Sequence, residues 1–283
     1  MGKINHLGIV GSGQMGRGIA QVFAQSGIKT SVYDTSSEQL LGAKEFIQKQ
    51  LEKGAEKGKW ASSGVSLAMG GLTFSSEIQS LSTCDFVIEA ATENLVIKKE
   101  ILKKLDVICS SECIFASNTS SISITDLASI TKRPEKVVGM HFMNPVPVMK
   151  LVEGIKGLLT SDDTFEQTKN LVNLIGKQFI ASKDYPGFIV NRILMPMINE
   201  AIYAIFEGVS TAEEIDMAMK LGTNVPMGPL ELADFIGLDT CLSIMEVLYK
   251  GMSDSKYRPC PLLKNYVMAG RLGRKTSMGF YKY

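Results

Sequence analysis

The sequence predicts an α/β protein with a Rossmann-like, mostly parallel sheet, followed by a smaller all-helical domain. Strand and helix patterns alternate through residues 6–182, as expected for an open α/β sheet. A glycine-rich turn joins the first strand to the first helix, which is typical of a βαβ unit. The strand patterns stop at KDYPG (183–187), and residues 188–249 are helical in pattern and rich in Ile, Leu, Met and Ala. We therefore expect two domains, 1–186 and 187–283.

Composition and charge narrow the class of protein. The chain has 283 residues, of which 45% are hydrophobic and 21% charged, so it can form a sizeable core. Its 30 basic and 29 acidic residues give a net charge of +1, which argues against a general nucleic-acid binder. Uninterrupted apolar runs stay below about 18 residues, the length of a transmembrane helix, and the start MGKINHLGIVGSG does not resemble a signal peptide. We therefore expect neither a nucleic acid nor a membrane as a partner.

The cysteines do not form the pattern of a metal site or a disulfide framework. There are five of them, and they stand at positions 84, 109, 113, 241 and 260. Cys109 and Cys113 are four residues apart, but no second pair and no histidine lies near them. Scattered cysteines without a pairing pattern are typical of proteins in a reducing compartment. We therefore expect a cytoplasmic protein without a bound metal.

Eight strands are predicted from short apolar or alternating runs. They are HLGIVG (6–11), KTSVYD (29–34), LTFSS (72–76), CDFVIEA (84–90), CIFASN (113–118), KVVGMHF (136–142), MKLVEGI (149–155) and QFIAS (178–182). CDFVIEA is almost wholly apolar, as a parallel strand covered on both faces should be. The sequence contains no internal repeat.

Four longer helices are predicted between these strands. They span residues 16–26, 37–57, 93–109 and 163–175. The second of them is the longest, and Ser36 and Gln39 have the spacing of a capping box at its start. Glycine, serine and tryptophan residues are expected to break it near 58–64.

The turn GSGQMG (11–16) has the pattern G-x-G-x-x-G, and the segments around it are those that this pattern requires. It follows a strand and opens a helix, and Asp34 ends the next strand. Gly11 permits the tight turn, Gly13 lets the backbone approach a pyrophosphate, and Gly16 allows close helix packing. Asp34 can bind a ribose 2′-hydroxyl and would repel a 2′-phosphate, which favours NAD over NADP. A structural turn with a surface aspartate is the alternative.

The stretch HFMNPVPVMKLVE (141–153) contains one of only two histidines and ends in a glutamate after an apolar pair. His141 ends one predicted strand and can transfer a proton near neutral pH. Glu153 lies in the next strand, so a bend between neighbouring strands can bring its carboxylate to the imidazole. We expect the two to pair. His6 has no acidic partner in view and is expected to be structural.

Two further polar segments are placed where they can face a ligand. SNTSS (117–121) follows a buried strand and brings hydroxyls and amides to the carboxyl edge of the sheet. It could instead cap the helix that begins near Ile124. GFIVNRI (187–193) places Asn191 among apolar residues at the start of the helical domain. That amide could lie on a helix surface or point into a cleft.

Taken together, these segments resemble the L-3-hydroxyacyl-CoA dehydrogenase family, of the short bacterial 3-hydroxybutyryl-CoA type. The matching segments are GIVGSGQMGRGIAQVFA, FVIEAATENLVIKKEIL, IFASNTSSISIT, GMHFMNPVPVMKLVE, DYPGFIVNRIL, MGPLELADFIGLD and GRLGRKTSMGFYKY. They span nearly the whole chain in the order of the family. One departure is visible in the tail, where Ser277 stands in place of the first glycine of the family pattern K-T/S-G-x-G-F-Y.

The resemblance implies the interconversion of (S)-3-hydroxyacyl-CoA and 3-oxoacyl-CoA by hydride transfer with NAD. His141 would be the general base and acid, and Glu153 would be its partner. Ser120 and Asn191 would complete the catalytic residues and hydrogen-bond the substrate near the reacting oxygen. Beside the glycine turn and Asp34, the residues implied to hold the cofactor are Gln14, Met15, Glu93, Lys98, Ser120 and Asn144.

The second predicted helix presents a stripe of lysines at spacings of four residues, Lys49, Lys53 and Lys57. Such a stripe can bind phosphates, and the resemblance implies that Lys53 and Lys57 contact the CoA moiety. The alternative is a solvated face balanced by glutamates on the same helix, which are Glu45, Glu52 and Glu56.

The helical domain is rich in Leu, Ile and Met, and the resemblance implies a homodimer formed through it. Packing of these side chains on the first domain is the alternative. Two other functions stay open at the level of sequence. One is a related dehydrogenase of a free hydroxy acid, such as a sugar acid, and the other is a dinucleotide sensor without catalysis.

Overall fold

One eight-stranded sheet forms the centre of the first of two units in the computed structural model, which describes residues 4–283. The units are Met1–Tyr185 and Pro186–Tyr283. The strands are β1 (His6–Val10), β2 (Lys29–Tyr33), β3 (Leu72–Ser75), β4 (Phe86–Glu89), β5 (Ile114–Ser117), β6 (Val137–Phe142), β7 (Leu151–Lys156) and β8 (Gln178–Lys183). Their order in the sheet is β3-β2-β1-β4-β5-β6-β7-β8. The predicted α/β fold is therefore confirmed.

Six helices accompany the strands in this unit. They are α1 (Gln14–Gln25), α2 (Ser37–Glu56), α3 (Ser62–Gly70), α4 (Leu95–Ile108), α5 (Ile124–Ala128) and α6 (Asp162–Leu174). The central strands β1, β4, β5 and β6 are buried along their whole length, as parallel strands covered on both faces should be.

Only the pair β6 and β7 is antiparallel, and all other neighbouring strands run parallel. The reason is the connection of eight residues, 143–150, since a crossover to a parallel strand needs a dozen or more. In the register of this pair His141 stands opposite Glu153. The prediction of neighbouring strands joined by a bend is confirmed.

Helix α2 begins as predicted, but the region after it differs from the prediction. The hydroxyl of Ser36 accepts a hydrogen bond from the Gln39 N–H at 3.2 Å. Residues 57–61 do interrupt the helical course, whereas 62–64 begin α3, which the sequence analysis missed. Serine and glycine have low helix propensity, and tertiary packing overrides it here. Trp60 packs on α2, where its Nε1 donates to the Leu51 carbonyl and its ring fills the space that a side chain on Gly54 would occupy.

The second unit is helical, as predicted. Its helices are α7 (Val190–Phe206), α8 (Ala212–Thr223), α9 (Pro229–Ile236), α10 (Leu238–Met252) and α11 (Pro261–Met268). A core of its own includes Met195, Ile202, Leu230, Ala233 and Leu248, each at most 1% exposed. Within the described residues of this unit, β-structure is limited to isolated bridges in the tail.

The C-terminal tail is fixed to a buried carboxylate of α9. Asp234 is fully buried, and its oxygens accept hydrogen bonds from the N–H groups of Phe280 and Tyr281 and from the Tyr283 hydroxyl. Gly279 must be glycine, because a Cβ there would lie 1.9 Å from the Asp234 carboxylate. Ser277 has φ of +55°, in the left-handed region that favours glycine.

We expect Ser277→Gly to stabilise the chain by about 0.5–1 kcal/mol, because glycine relieves the left-handed strain of an exposed serine. Urea denaturation followed by helical circular dichroism measures the change. Ser37→Gly is the control, since it places glycine in the first turn of α2 and should destabilise the chain. Unchanged or lower stability of Ser277→Gly would contradict the expectation.

Candidate active site

The glycine turn before α1 leaves open space in front of the helix N-terminus. A Cβ on Gly11 would lie 2.7 Å from the Ala90 carbonyl oxygen, and one on Gly16 would lie 1.8 Å from that of Gly11. Gly13, by contrast, has nothing within 4 Å of the position of a Cβ. Gly13 is also the N-cap and supplies no side-chain acceptor to the first-turn N–H groups. The turn therefore fits a pyrophosphate approaching the positive end of α1.

Asp34 follows β2 and is fixed by three donors. Its Oδ2 accepts from the N–H and the hydroxyl of Ser12 at 2.8 and 2.9 Å, and its Oδ1 accepts from the Ser36 N–H at 3.0 Å. The same carboxylate lines a cavity of about 590 Å³ together with Gly11 and Gly13. A polar edge beside an open glycine turn fits the ribose of a dinucleotide.

The cavity beside Asp34 has an apolar wall that the sequence analysis missed. It includes Ile78, from the turn after β3, and Val96, Ile97 and Ile101 of α4. Val96 is 69% and Ile97 is 44% exposed, which is unusual for large apolar side chains on a charged helix. Such a wall suits a flat, weakly polar ring. The signal was present in the segment NLVIKKEI, whose apolar residues were assigned only to the predicted helix 93–109.

Glu93 organises the loop after β5. Its Oε1 accepts hydrogen bonds from the Thr119 hydroxyl at 2.6 Å, the Ser120 N–H at 2.9 Å and the Ser121 hydroxyl at 3.1 Å. The structure therefore brings together the predicted residues Glu93 and Ser120. The cap of α5 comes from Ser123, whose hydroxyl accepts from the Asp126 N–H. The segment 117–121 is thus not the helix cap.

Lys98 lies inside the protein and has carboxylate partners. Its side chain is 1% exposed, and its Nζ lies 2.8 and 2.9 Å from the two oxygens of Glu89, which is fully buried. It also donates to the Ala91 carbonyl at 3.3 Å and lies 3.5 Å from Glu93 Oε2. Lys98 thus supports the segment that carries Glu93. Its contact with the cofactor stays a prediction.

His141 and Glu153 are in direct contact. The Nδ1 atom of His141 lies 2.7 Å from Glu153 Oε2. The residues are 5% and 0% exposed, so the pair is shielded from water and the bond is strong. The main chain beside it is held by Asn118, whose Oδ1 accepts from the Phe142 N–H at 2.9 Å. The predicted contact between His141 and Glu153 is therefore present.

His6 has a structural setting at the opposite end of the sheet, where β1 begins. Its Nε2 lies 2.8 Å from the Ser31 hydroxyl. Burial is the main cause that lowers the pKa of its imidazole, so the neutral ring is favoured. This agrees with the structural reading of His6.

The bend between β6 and β7 reaches the glycine turn. Asn144 lies in this bend, and its Oδ1 accepts a hydrogen bond from Gln14 Nε2 at 3.2 Å. Both residues are predicted cofactor contacts, and Met15 follows Gln14 in the first turn of α1. The structure therefore brings the side chains of Gln14 and Asn144 together at the mouth of the turn.

The remaining predicted site residues lie elsewhere. Lys53 and Lys57 are exposed on and just after α2, and no salt bridge to either is present within residues 4–283. Glu52 accepts a hydrogen bond from Gln48. Within the described residues, no salt bridge joins the glutamates of α2 to this stripe. Asn191 belongs to the second unit, in the first turn of α7, and is 8% exposed.

Within residues 4–283, the His, Cys, Asp and Glu side chains form no group of three or more that could hold a metal. No helix in this range is both long enough and apolar enough to span a membrane.

Comparison with known proteins identifies the family. The family model described as the 3-hydroxyacyl-CoA dehydrogenase NAD binding domain matches residues 6–185, and the C-terminal domain model matches 187–283. The chain belongs to the 3-hydroxyacyl-CoA dehydrogenase family. The resemblance drawn from its motifs is thereby confirmed.

Relatives in this dehydrogenase family match over almost the whole chain. A 3-hydroxybutyryl-CoA dehydrogenase of Bradyrhizobium diazoefficiens is 52% identical over 280 residues, covering 99% of this chain and 96% of the relative. One from Clostridioides difficile is 48% identical over 277 residues, covering 98% and 99%. The crystal structure of (S)-3-hydroxybutyryl-CoA dehydrogenase from Ralstonia eutropha has a TM-score of 0.97 at 49% identity and covers 99% of both chains.

Sequence reasoning missed three groups around this site. Ser12 was read only as a turn residue, although it holds Asp34. Glu89 was read as part of an apolar strand, although its oxygens accept from Lys98, the Ala91 N–H and the Ser117 hydroxyl. The apolar wall of the cavity was the third. A carboxylate inside CDFVIEA was the visible signal for Glu89, because such a group needs partners when buried.

Proposed function

We propose that the protein is an NAD-dependent dehydrogenase that interconverts (S)-3-hydroxybutyryl-CoA and acetoacetyl-CoA. The observation that carries this proposal is the buried hydrogen bond of 2.7 Å between His141 and Glu153, at the carboxyl end of β6. It occurs in a chain whose full-length relatives bear the name of this enzyme. Alcohol oxidation by hydride transfer requires a base at the hydroxyl, and the pair supplies one.

The imidazole of His141 transfers the proton. Because Nδ1 is bonded to Glu153, proton exchange with the 3-hydroxyl is assigned to Nε2. The carboxylate fixes the tautomer and stabilises the imidazolium that forms. NAD, when bound, supplies the acceptor for the hydride that leaves C3. In the reverse direction the imidazolium of His141 gives its proton to the 3-oxo oxygen.

Two polar side chains are proposed to orient the reacting oxygen. Ser120 stands in the loop that Glu93 fixes, so its hydroxyl is positioned by a rigid neighbour. Asn191 is proposed to donate or accept near the same oxygen from the start of α7. The cofactor residues are proposed as predicted: the glycine turn, Gln14, Met15, Asp34, Glu93, Lys98, Ser120 and Asn144.

Turnover of the unmodified chain tests the proposal. NADH should be consumed with acetoacetyl-CoA, and a series of 3-oxoacyl-CoA substrates should show the preferred chain length. NADPH should be a much poorer donor, because the Asp34 carboxylate opposes a 2′-phosphate. If only a free hydroxy acid such as a sugar acid is turned over, the CoA assignment is wrong and the alternative dehydrogenase is supported.

The CoA moiety is proposed to contact Lys53 and Lys57. Both ammonium groups are exposed on a stripe without ion pairs in the described chain, so they remain available to phosphates. A sugar acid carries no such phosphates. Changes in the lysine stripe should therefore affect the binding of a CoA substrate and not that of a free sugar acid.

We expect the double variant Lys53→Glu/Lys57→Glu to raise KM for acetoacetyl-CoA about tenfold or more, with kcat little changed. Charge reversal removes two attractions and adds two repulsions at the phosphate end, away from the reacting carbonyl. Steady-state kinetics at low ionic strength measures the effect. Lys59→Glu, just beyond the helix, is the matched control and should change KM less. An unchanged KM in the double variant would exclude the stripe as the CoA site.

We also propose a homodimer formed through the second unit. Several large apolar side chains of its helices are exposed, among them Ile193, Phe206 and Leu221, at 67%, 52% and 79%. Burying them against a second copy is favourable. Sedimentation of the purified chain tests the dimer.

A cytoplasmic location is proposed as well, supported by five cysteines that are all free.

A further inference from the structure

A buried lysine outside the proposed catalytic residues holds the bend between β6 and β7. Lys177 stands between α6 and β8, and it is 7% exposed. Its Nζ donates to the carbonyl oxygens of Val146 and Met149, each at 2.6 Å. Both acceptors lie in residues 143–150, the segment that carries Asn144. One side chain thus fixes two points of the bend.

The residues of the bend are linked to one another. The N–H groups of Val148 and Met149 both donate to the Pro145 carbonyl at 3.0 Å, which closes a single helical turn. Val146 is 2% exposed and packs on α1, where a Cβ on Gly18 would lie 3.0 Å from the Val146 Cβ. Loss of the contacts from Lys177 therefore moves the turn as a unit, and Asn144 moves with it.

Packing alone does not explain a lysine at this position. Within the described residues no salt bridge to Lys177 is present, and burial lowers the pKa of its ammonium. A buried cation without a counter-ion costs stability unless its hydrogen bonds compensate. A methionine would fill the same space without that cost. The two carbonyl oxygens that accept from the ammonium explain why a lysine stands at this position.

We propose that Lys177 is a positioning residue for the cofactor side of the active site. Its ammonium fixes the bend so that Asn144 stays at the glycine turn, beside Gln14, where the cofactor is proposed to bind. The inference rests on the proposed cofactor role of Asn144. It assigns to Lys177 no contact with substrate or cofactor.

The test is the affinity for NADH, measured by its fluorescence on binding and apart from turnover. Lys177→Met should raise Kd and KM for NADH about tenfold, while KM for acetoacetyl-CoA changes less than about twofold. Lys177→Arg keeps the charge and the donors and should restore most of the affinity. Lys169→Met removes an exposed lysine of α6 and is the matched control. Faster amide exchange in residues 143–150 should accompany the loss.

A double variant shows whether Lys177 acts through Asn144. Lys177→Met combined with Asn144→Ala should bind NADH no more weakly than Asn144→Ala alone, because both changes remove the same contact. Additive losses, normal NADH affinity in folded Lys177→Met, or normal affinity in Asn144→Ala would each overturn the inference. If Lys177→Met does not fold, Lys177→Gln keeps an uncharged amide as donor and should give an intermediate affinity. A chain that binds NADH without reducing acetoacetyl-CoA contradicts the proposed function and leaves this test intact.

Discussion

His141→Gln should lower kcat for acetoacetyl-CoA reduction by about 10²–10⁴-fold, the usual contribution of a general acid. The amide of glutamine can still donate to Glu153, so the buried carboxylate keeps a partner and the fold is preserved. It cannot supply a proton at neutral pH. Binding of NADH should stay within about twofold of the unmodified chain, since His141 is proposed to act on the substrate. Steady-state kinetics and NADH fluorescence measure the two effects separately.

Glu153→Gln tests whether the carboxylate acts through the imidazole. It should lower kcat by a smaller factor, about 10–10²-fold, because the base remains while its orientation and the charge that stabilises the imidazolium are lost. The double variant His141→Gln/Glu153→Gln should be little worse than His141→Gln alone. Ser121→Ala, in the neighbouring loop, is the control and should retain most of the activity. Near-normal turnover of folded His141→Gln would exclude the proposed mechanism.

The sequence was informative wherever local chemistry determines structure. The glycine turn, the capping serine Ser36 and the apolar strands are each recognisable from their own residues, so the fold followed from them. The pairing of His141 with Glu153 was also predictable. The six residues 143–148 between the two predicted strands permit a hairpin but not a crossover to a parallel strand. In the observed register His141 stands opposite Glu153, and a shift of one residue would turn the two side chains to opposite faces of the sheet.

Other features depend on contacts between distant segments, and local patterns do not contain them. Lys98 resembles any lysine of a charged helix, and only the approach of α4 to the end of β4 places it on Glu89. Helix α3 has a sequence of weak propensity and forms next to Trp60 and α2. A bend between the strands of His141 and Glu153 was expected from the sequence, whereas its attachment to Lys177, some thirty residues later, required the fold.

Breaking the ion pair of Lys98 and Glu89 is expected to cause the largest loss of stability in the first unit. Lys98→Met should destabilise this unit by roughly 3–5 kcal/mol, because it leaves a fully buried carboxylate without its cation. Trp60, the only tryptophan of the chain, lies in this unit and packs on α2. Its fluorescence during urea denaturation therefore follows the unit's own transition, apart from that of the helical unit.

Replacing both residues separates the cost of an unpaired buried charge from the cost of lost packing. Glu89→Gln alone should also destabilise, though less, because the Lys98 ammonium keeps the Ala91 carbonyl and Glu93 Oε2 nearby. Lys98→Met combined with Glu89→Gln removes both charges and should recover at least about 2 kcal/mol, since the amide can still accept from the Ala91 N–H. Lys103→Met, an exposed change on the same helix, should cost less than about 0.5 kcal/mol. Additive losses in the double variant would mean that volume, and not the unpaired charge, determines the stability of this part of the site.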